Sequence, residues 1–412
     1  MNKALETLKE RGFFQQCTDP DALSDLMDQG PVTFYVGCDP TGTSLHVGHM
    51  VPFFAFRHLV AAGHRGIALI GGGTARIGDP SGKTEMRKML TYEQIDANVA
   101  RIEAQLHRFL HFDGKNAISD NNKYWLAELN YIDFLRDIGS CFSVNKMLTF
   151  EAYKKRLETG LSFIEFNYQL LQSFDFLKLY ERHRCALQIG GDDQWGNITA
   201  GVDLIRRKTG VPVFGLTFPL ITTSDGKKMG KTEKGALFLD PALTPVFDFF
   251  QYWRNVTDAD VRTFLLLFTF LPVEEIDELA AGNINKAKER LAYEVTQVIH
   301  GTDEADRALA GARAAFGIGG DRESMPLARV PASLVVGDGV PLVDLFCSAK
   351  LAATKSDARR LVQQGGAFWT PAGGDETVMT DVNQRVCVAD FGVDREIVLR
   401  AGKKKLCRVR LA

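Results

Sequence analysis

Two periodicities organise the apolar positions of this chain. Three short runs, Val32 to Gly37, Gly66 to Ile70 and Cys185 to Ile189, are rich in apolar and β-branched residues. Each ends in a turn sequence: Asp39-Pro40-Thr41, Gly71-Gly72-Gly73 and Gly190-Gly191-Asp192-Asp193. Helical spacing fills the intervals between them. The alternation predicts an α/β fold with a doubly wound parallel sheet covered on both faces, and such a sheet takes its ligands at the carboxyl ends of its strands. Met1 to Cys17 reads as an amphipathic helix. Tyr131 to Tyr180 is largely helical, with Phe163, Phe166, Tyr168, Leu170, Leu171 and Phe174 on an apolar face. Helices resume from about Thr244 to Phe316 and stop at Gly317, Gly319 and Gly320.

Punctuation then sets the expected domains. Pro326, Pro331, Gly337, Gly339 and Pro341 interrupt any period, which suggests a linker over 321–340. It would separate a sheet domain (1–225, with a helical insertion near 131–180) and a loop with helical domain (226–320) from a small terminal domain (341–412). No fixed-period repeat is visible, which argues against a solenoid.

Composition narrows the class. The chain has 412 residues and a net charge of -2, with ordinary apolar and charged fractions, as expected of a globular protein with a large core. Charge is uneven: from Pro341 onward there are 12 Lys+Arg against 8 Asp+Glu, and 37 against 43 in the remainder. A polyanion would therefore be drawn to the tail rather than to the body. Seven cysteines lie scattered without a CxxC pair, which fits reduced thiols in a cytoplasm. The Met1 to Cys17 stretch lacks the unbroken apolar region of a signal peptide. Phe264 to Val273 is broken by Pro272 and falls far short of the roughly 20 residues of a membrane span.

Two segments carry candidate chemistry. Asp39 to His49 leaves a strand through a tight turn and enters a helix near Leu45, with His46 and His49 on one face. A helix N-terminus offers N–H groups and partial positive charge, and imidazoles there can donate to phosphate. Gly48 would let a flat ring approach the backbone. A zinc site would need a third ligand, which this segment lacks. Far downstream, Ser224 to Thr232 is a glycine-punctuated turn with Lys227, Lys228 and Lys231. Taken alone it is a solvated loop; in use, its ammonium groups could meet a triphosphate as charge builds on a leaving pyrophosphate.

In that order, HxGH and KMGKT resemble the HIGH and KMSKS pair of class I aminoacyl-tRNA synthetases. Phe34 to Gly37, Gly78 to Lys83, Phe166 to Asp175 and Gln188 to Asn197 narrow the resemblance to the tyrosyl family, over nearly the whole chain. The resemblance implies a Rossmann-like catalytic domain, an α-helical domain and a small α+β RNA-binding C-terminal domain. It assigns Tyr35 and Asp175 to a substrate phenol, Asp79, Tyr168 and Gln172 to its ammonium group, and Gln194 to the region of its carbonyl. Thr41 and His46 would face the phosphates of ATP and His49 the ribose end, with Gly48 against the nucleotide, Gly191 and Asp193 on the ribose and Leu220 and Ile221 along adenine. Lys228, Lys231 and Thr232 would hold the pyrophosphate, with Lys83 and Arg87 as weaker candidates. Mg2+ would arrive with ATP, without a dedicated protein metal cage. Val36 and Pro52 replace polar side chains that some relatives place near the ribose, and Gly230 stands where the signature has serine.

The tail resembles the alpha-L RNA-binding domain. Thr354 to Gly366 reads as a capped helix carrying Lys355, Arg359 and Arg360, and Arg400, Lys403, Lys404, Lys405, Arg408 and Arg410 follow in a strand region. The implied partners are tRNA, tyrosine, ATP and a second copy of the chain through the helical region around Tyr131 to Phe163. Against a tryptophanyl-type enzyme stands the pairing of Tyr35 with Asp175. A small-molecule nucleotidyltransferase would have no use for the tail. A non-catalytic RNA-binding paralogue would be expected to lose His46, His49 or Lys231.

Overall fold

Strand Thr33–Cys38 (β2) has Phe34, Tyr35 and Val36 in succession fully buried, and Arg65–Ile70 (β3) is buried from Gly66 to Ile70. Continuous burial of this kind requires cover on both faces, as a parallel sheet has. The computed structural model supplies it. It describes residues 1–81, 89–224, 226, 229, 231–232, 235–315, 325–335, 337–402 and 405–412, without the side chains of Lys155, Lys231, Thr232 and Ala315.

The main sheet adds Gln16–Cys17 (β1), Ala117–Asn121 (β4), Cys185–Gly191 (β5) and Phe214–Phe218 (β6). Its order is β1-β6-β5-β2-β3-β4, all parallel except the antiparallel edge strand β1. Chain order reverses between β2 and β5, and that switch point opens a crevice at the carboxyl ends of the strands. Helices Met50–Ala61, Tyr92–Leu110 and Trp195–Thr209 make the crossovers β2–β3, β3–β4 and β5–β6. Between β4 and β5 lies the helical insertion, a set of short helices ending in the long Tyr168–His183 helix.

Each expected strand lies within two residues of its predicted limits, and the N-terminal helix spans Lys3–Glu10 with Leu5 and Leu8 buried. Compact units divide the chain differently from the sequence reading. Met1–Thr244 joins Val256–Leu291, and Pro245–Asn255 joins Ala292–Ala412. In the first unit, Phe54 of the Met50–Ala61 helix packs on Phe268 at 5.5 Å and stacks on Phe270 at 5.5 Å, which ties helix Val261–Phe268 to the sheet body.

The second unit contains a five-stranded sheet of order β12-β11-β14-β15-β9, from Leu327–Val330 (β9), Ala367–Thr370 (β11), Thr377–Val378 (β12), Glu396–Ala401 (β14) and Lys405–Leu411 (β15), and an antiparallel pair of Val340–Pro341 (β10) with Arg385–Val386 (β13). Here the structure corrects the linker. Within the stretch read as connection, β9 pairs in parallel with the terminal strand β15, and Val330, Val335 and Val340 are buried in the same core as Phe346, Ile397 and Val409. Pro326 and Pro331 frame a strand whose partner lies some eighty residues further on, a pairing that no local period reveals. No helix among the described residues is long and apolar enough to cross a membrane.

Candidate active site at the switch point

At the end of β2 the chain turns through Asp39 and reaches the histidine pair. His46 is the N-cap of a single 3-10 turn, Val47–His49, and the α-helix starts at Met50, later than expected. Two bonds fix the rings. His46 Nδ1 accepts from the Gly48 N–H at 3.0 Å, and His49 Nδ1 accepts from the His46 N–H at 3.2 Å. An accepting Nδ1 carries no proton, so each ring has its proton on Nε2, where it can donate. The ring centroids are 3.9 Å apart. A Cβ on Gly48 would crowd the His46 ring, which explains glycine there, and Thr41 is exposed beside the turn.

A buried polar chain runs behind this turn. The Tyr168 hydroxyl donates to Asp39 Oδ2 at 2.9 Å, Thr74 Oγ1 donates to Asp39 Oδ1 at 2.7 Å, and Asn122 Nδ2 donates to Thr74 Oγ1 at 2.9 Å. Asn122 Nδ2 also donates to Asp175 Oδ2 at 2.9 Å, and Trp125 Nε1 donates to Asp175 Oδ1 at 2.7 Å. Asp175 is 2% exposed; burial pushes its carboxyl up to about 8, against the pull of those two donors. Burial, then the neighbouring Asp175, raises Tyr35 well above the usual phenol range, and the Tyr35 hydroxyl is buried without a hydrogen-bond partner. A site with an orphaned hydroxyl beside a buried carboxylate that retains free lone pairs suits a second phenol.

A second polar cluster gathers the other residues expected to meet the amino acid. Gln194 Nε2 donates to Asp79 Oδ2 at 2.7 Å, and Asn197 Nδ2 donates to Gln172 Oε1 at 3.1 Å and Gln194 Oε1 at 3.2 Å. Tyr168, Gln172 and Asp175 come from one helix, Tyr168–His183, at spacings that place them on one side. Past β5, Gly191 leads to Asp193, which is exposed, while Leu220 is 61% exposed and Ile221 half-buried. An exposed leucine at the end of β6 offers a flat apolar contact.

Lys231 and Thr232 form strand β7, antiparallel to Gly235–Ala236 (β8). Just beyond, the Val47 N–H donates to the Leu237 carbonyl at 3.0 Å and the Leu239 N–H to the Leu45 carbonyl at 2.9 Å. The histidine and lysine motifs, far apart in sequence, are thus stitched together by backbone. Lys83, Arg87 and Lys228 lie outside the described residues, as do Lys403 and Lys404.

Asp39, Thr74, Asn122, Trp125 and Asn197 were missed from sequence. Asn122 and Trp125 follow β4, whose Ala-Ile-Ser-Asp-Asn carries little strand signal. The glycines held a usable clue: a Cβ on Gly71 would overlap Asp39 Oδ1 and Thr74 Oγ1.

In the tail, Thr354 caps helix Lys355–Gln363 as expected. Arg408 requires correction: it is 5% exposed and faces Glu396, with Nη1 3.4 Å from Oε2, so its guanidinium does not meet solvent. Alternation puts Arg408 on the face it shares with Arg410 and Arg400, opposite the apolar core of Ile397, Leu399 and Val409, so local packing and not the strand's alternation hides it. Arg410 pairs with Glu396 and Arg400 with Glu376, while Lys355 pairs with Asp344 and Arg360 with Asp357 at the surface. Arg359 and Lys405 are exposed.

Comparison with known proteins completes the picture. Residues 27–317 match the family model described as tRNA synthetases class I (W and Y). The chain is 62% identical over 409 residues to tyrosine–tRNA ligase of Treponema denticola, covering 99% of both. It is 60% identical over 409 residues to that of Treponema pallidum, covering 99% of this chain and 98% of the relative. A C-terminally truncated mitochondrial tyrosyl-tRNA synthetase from Aspergillus nidulans has the same fold at 31% identity and a TM-score of 0.69, over 76% of this chain and 93% of that one. The signature pair, the unpartnered Tyr35 hydroxyl near the buried Asp175 and identity along the full length therefore agree, and the chain belongs to the tyrosine–tRNA ligases of the class I tRNA synthetases.

Proposed function

We propose that the switch-point site joins tyrosine to ATP and passes the tyrosyl group to tRNA. One observation carries the choice of amino acid. The buried, unpartnered Tyr35 hydroxyl lies in the field of Asp175, a carboxylate oriented by Asn122 and Trp125. A tyrosine phenol satisfies both groups, whereas phenylalanine leaves them unpaired at full desolvation cost. Asp79, Tyr168 and Gln172 receive the ammonium group, and Gln194 borders the carboxylate.

A tyrosine carboxylate oxygen attacks the α-phosphorus of ATP, and the bond to the bridging oxygen breaks, giving tyrosyl-adenylate and pyrophosphate. His46 and His49 donate through Nε2 to the phosphate and ribose ends, Thr41 lies beside the phosphates, and Lys228, Lys231 and Thr232 meet the pyrophosphate. Gly48 lets the flat base approach the backbone, Gly191 and Asp193 border the ribose, and Leu220 and Ile221 lie along adenine. ATP brings Mg2+ with it. A hydroxyl of the tRNA 3′-terminal ribose then attacks the adenylate carbonyl and AMP leaves. Catalysis is positioning and charge stabilisation, with no side-chain nucleophile.

Lys355, Arg359, Arg360 and Lys405, all exposed, are the tail's candidates for RNA phosphates among the described residues. Exposed Tyr131, Ile132, Val144, Leu157 and Phe163 support a homodimer through the helical insertion. The seven free cysteines suit a cytoplasmic setting. Pyrophosphate exchange with each amino acid in turn tests the reading: a signal with tyrosine alone is expected, and exchange driven by tryptophan or by none would refute it.

A further inference from the structure

Asp260 has no part in the chemistry above, yet the residue is only 7% exposed and both of its carboxylate oxygens are engaged. It immediately precedes helix Val261–Phe268, where an aspartate ordinarily caps its own helix, but it makes no such bond. Oδ1 instead accepts from the Ser224 N–H at 3.0 Å, while Oδ2 accepts from Ser224 Oγ at 3.2 Å and from Thr257 Oγ1 at 2.7 Å. The Ser224 and Thr257 hydroxyls are 2.8 Å apart. Among the described residues no basic side chain pairs with this carboxylate. Burying a charge against neutral donors alone is costly, so the donors must be held where they are.

Ser224 is where the chain leaves the body for the lysine-bearing turn. The helix behind Asp260 is well anchored: Arg11, at its other end, donates to the carbonyls of Leu266, Thr269 and Leu271, and Phe268 packs on Phe54 of the helix that follows the histidines. Beyond the turn, Leu237 and Leu239 bond to Val47 and Leu45. Both ends of the lysine segment are therefore referenced to the histidine segment, one directly and one through Asp260.

We propose that Asp260 is a positioning residue for adenylate formation: by holding Ser224 it sets where Lys231 meets the leaving pyrophosphate. The proposal rests on the assignment of Lys231 to pyrophosphate given above. A displacement of about 1 Å at such a contact can cost on the order of 10²-fold in rate. The experiment uses the full-length enzyme and measures the single-turnover rate of tyrosyl-adenylate formation and the tyrosine dissociation constant for D260A, S224A, K231A and D260A/K231A. D260A should slow activation by about 10²-fold while leaving tyrosine affinity within about twofold, a split that general loss of structure would not produce. S224A, which keeps the backbone bond, should slow it about threefold to tenfold, and it decides the matter if D260A does not fold. The double variant should be little slower than K231A, because the two changes remove one effect.

Wild-type rates for D260A or S224A would overturn the proposal. So would equal slowing by D260A in both backgrounds with a parallel loss of tyrosine affinity. A slow K231A beside a fast D260A sinks the Asp260 role alone. A wild-type rate for K231A removes the lysine assignment, and the proposal with it.

Discussion

Asp175 shows how much a single residue can be asked to do. Its carboxyl is raised to about 8 by burial, so in the unliganded chain it gains its charge only as pH rises through that value. A tyrosine phenol donates to the charged form. Tyrosine affinity should therefore rise from about pH 6 to about pH 8, by at most tenfold per unit, and Asp175→Asn should flatten the profile; titration calorimetry checks both. The sign for stability is opposite. Between the ordinary carboxyl value and about 8 the folded chain holds a proton that the unfolded chain has lost, so stability falls as pH rises through that window. Asp175→Ala should weaken tyrosine binding by about 10- to 100-fold and erode discrimination against phenylalanine, since Tyr35 and the phenol lose their buried acceptor. Lys231→Ala should act differently. Its contact forms as pyrophosphate departs, so the activation rate should drop about 10²-fold with tyrosine affinity unchanged, as pre-steady-state kinetics can determine.

Among the elements, helix Met50–Ala61 bears the most. It follows the histidine turn directly, and Phe53, Phe54, Phe56 and Leu59 are all buried on its inner faces. Phe54 reaches Phe109, Phe268 and Phe270, joining two helices and the loop that follows Val261–Phe268. Phe54→Ala should cost about 3–5 kcal/mol in stability, from lost burial and the cavity left behind, measured by urea unfolding of the whole chain. The backbone bonds between Leu45 to Val47 and Leu237 to Leu239 are the other decisive element. They make the two signature motifs neighbours, whereas β7–β8 alone would leave Lys231 on a hairpin with no fixed relation to the histidines.

At the scale of the whole molecule, activation and transfer should be separable. The core of Val330 to Leu411 closes on itself, with β9 as its first strand, so a cut before Pro341 would split a sheet. A cut after Ala315 removes that sheet and its core whole, leaving Pro245–Asn255 and Ala292–Ala315 of the same compact unit on the catalytic side. The shortened chain should still make tyrosyl-adenylate, while its charging of tRNA falls steeply and its remaining RNA binding becomes less salt-dependent. Full-rate charging would refute a need for the tail, and a folded product unable to activate tyrosine would refute the division of labour. Phe163→Asp tests the second copy. If the exposed apolar face of the helical insertion is covered by its twin, sedimentation should show a shift toward monomer.

Local order was legible because it is written in local periods. The strands β2, β3 and β5 came from continuous apolar runs, the tail helix from Thr354 and its glycine stop, and the signature residues from short motifs. Sequence alone thus determined the sheet class and the family, from the signature segments. Tertiary structure decided which residues complete them. Asn122 and Trp125 serve Asp175 from the turn and short helix that follow the weakly signalled β4, Asp39 became a hub because Gly71 lets Thr74 come close, and β9 found its partner across the entire small domain. The same holds for Arg408, whose basic character was plain in the sequence but whose burial beside Glu396 depends on local packing that its partly exposed neighbours on the same face, Arg400 and Arg410, do not share. Spacing along the chain reports what a segment prefers, but a hydrogen bond between distant segments depends on how the segments pack, and the sequence encodes that only through all of its contacts at once.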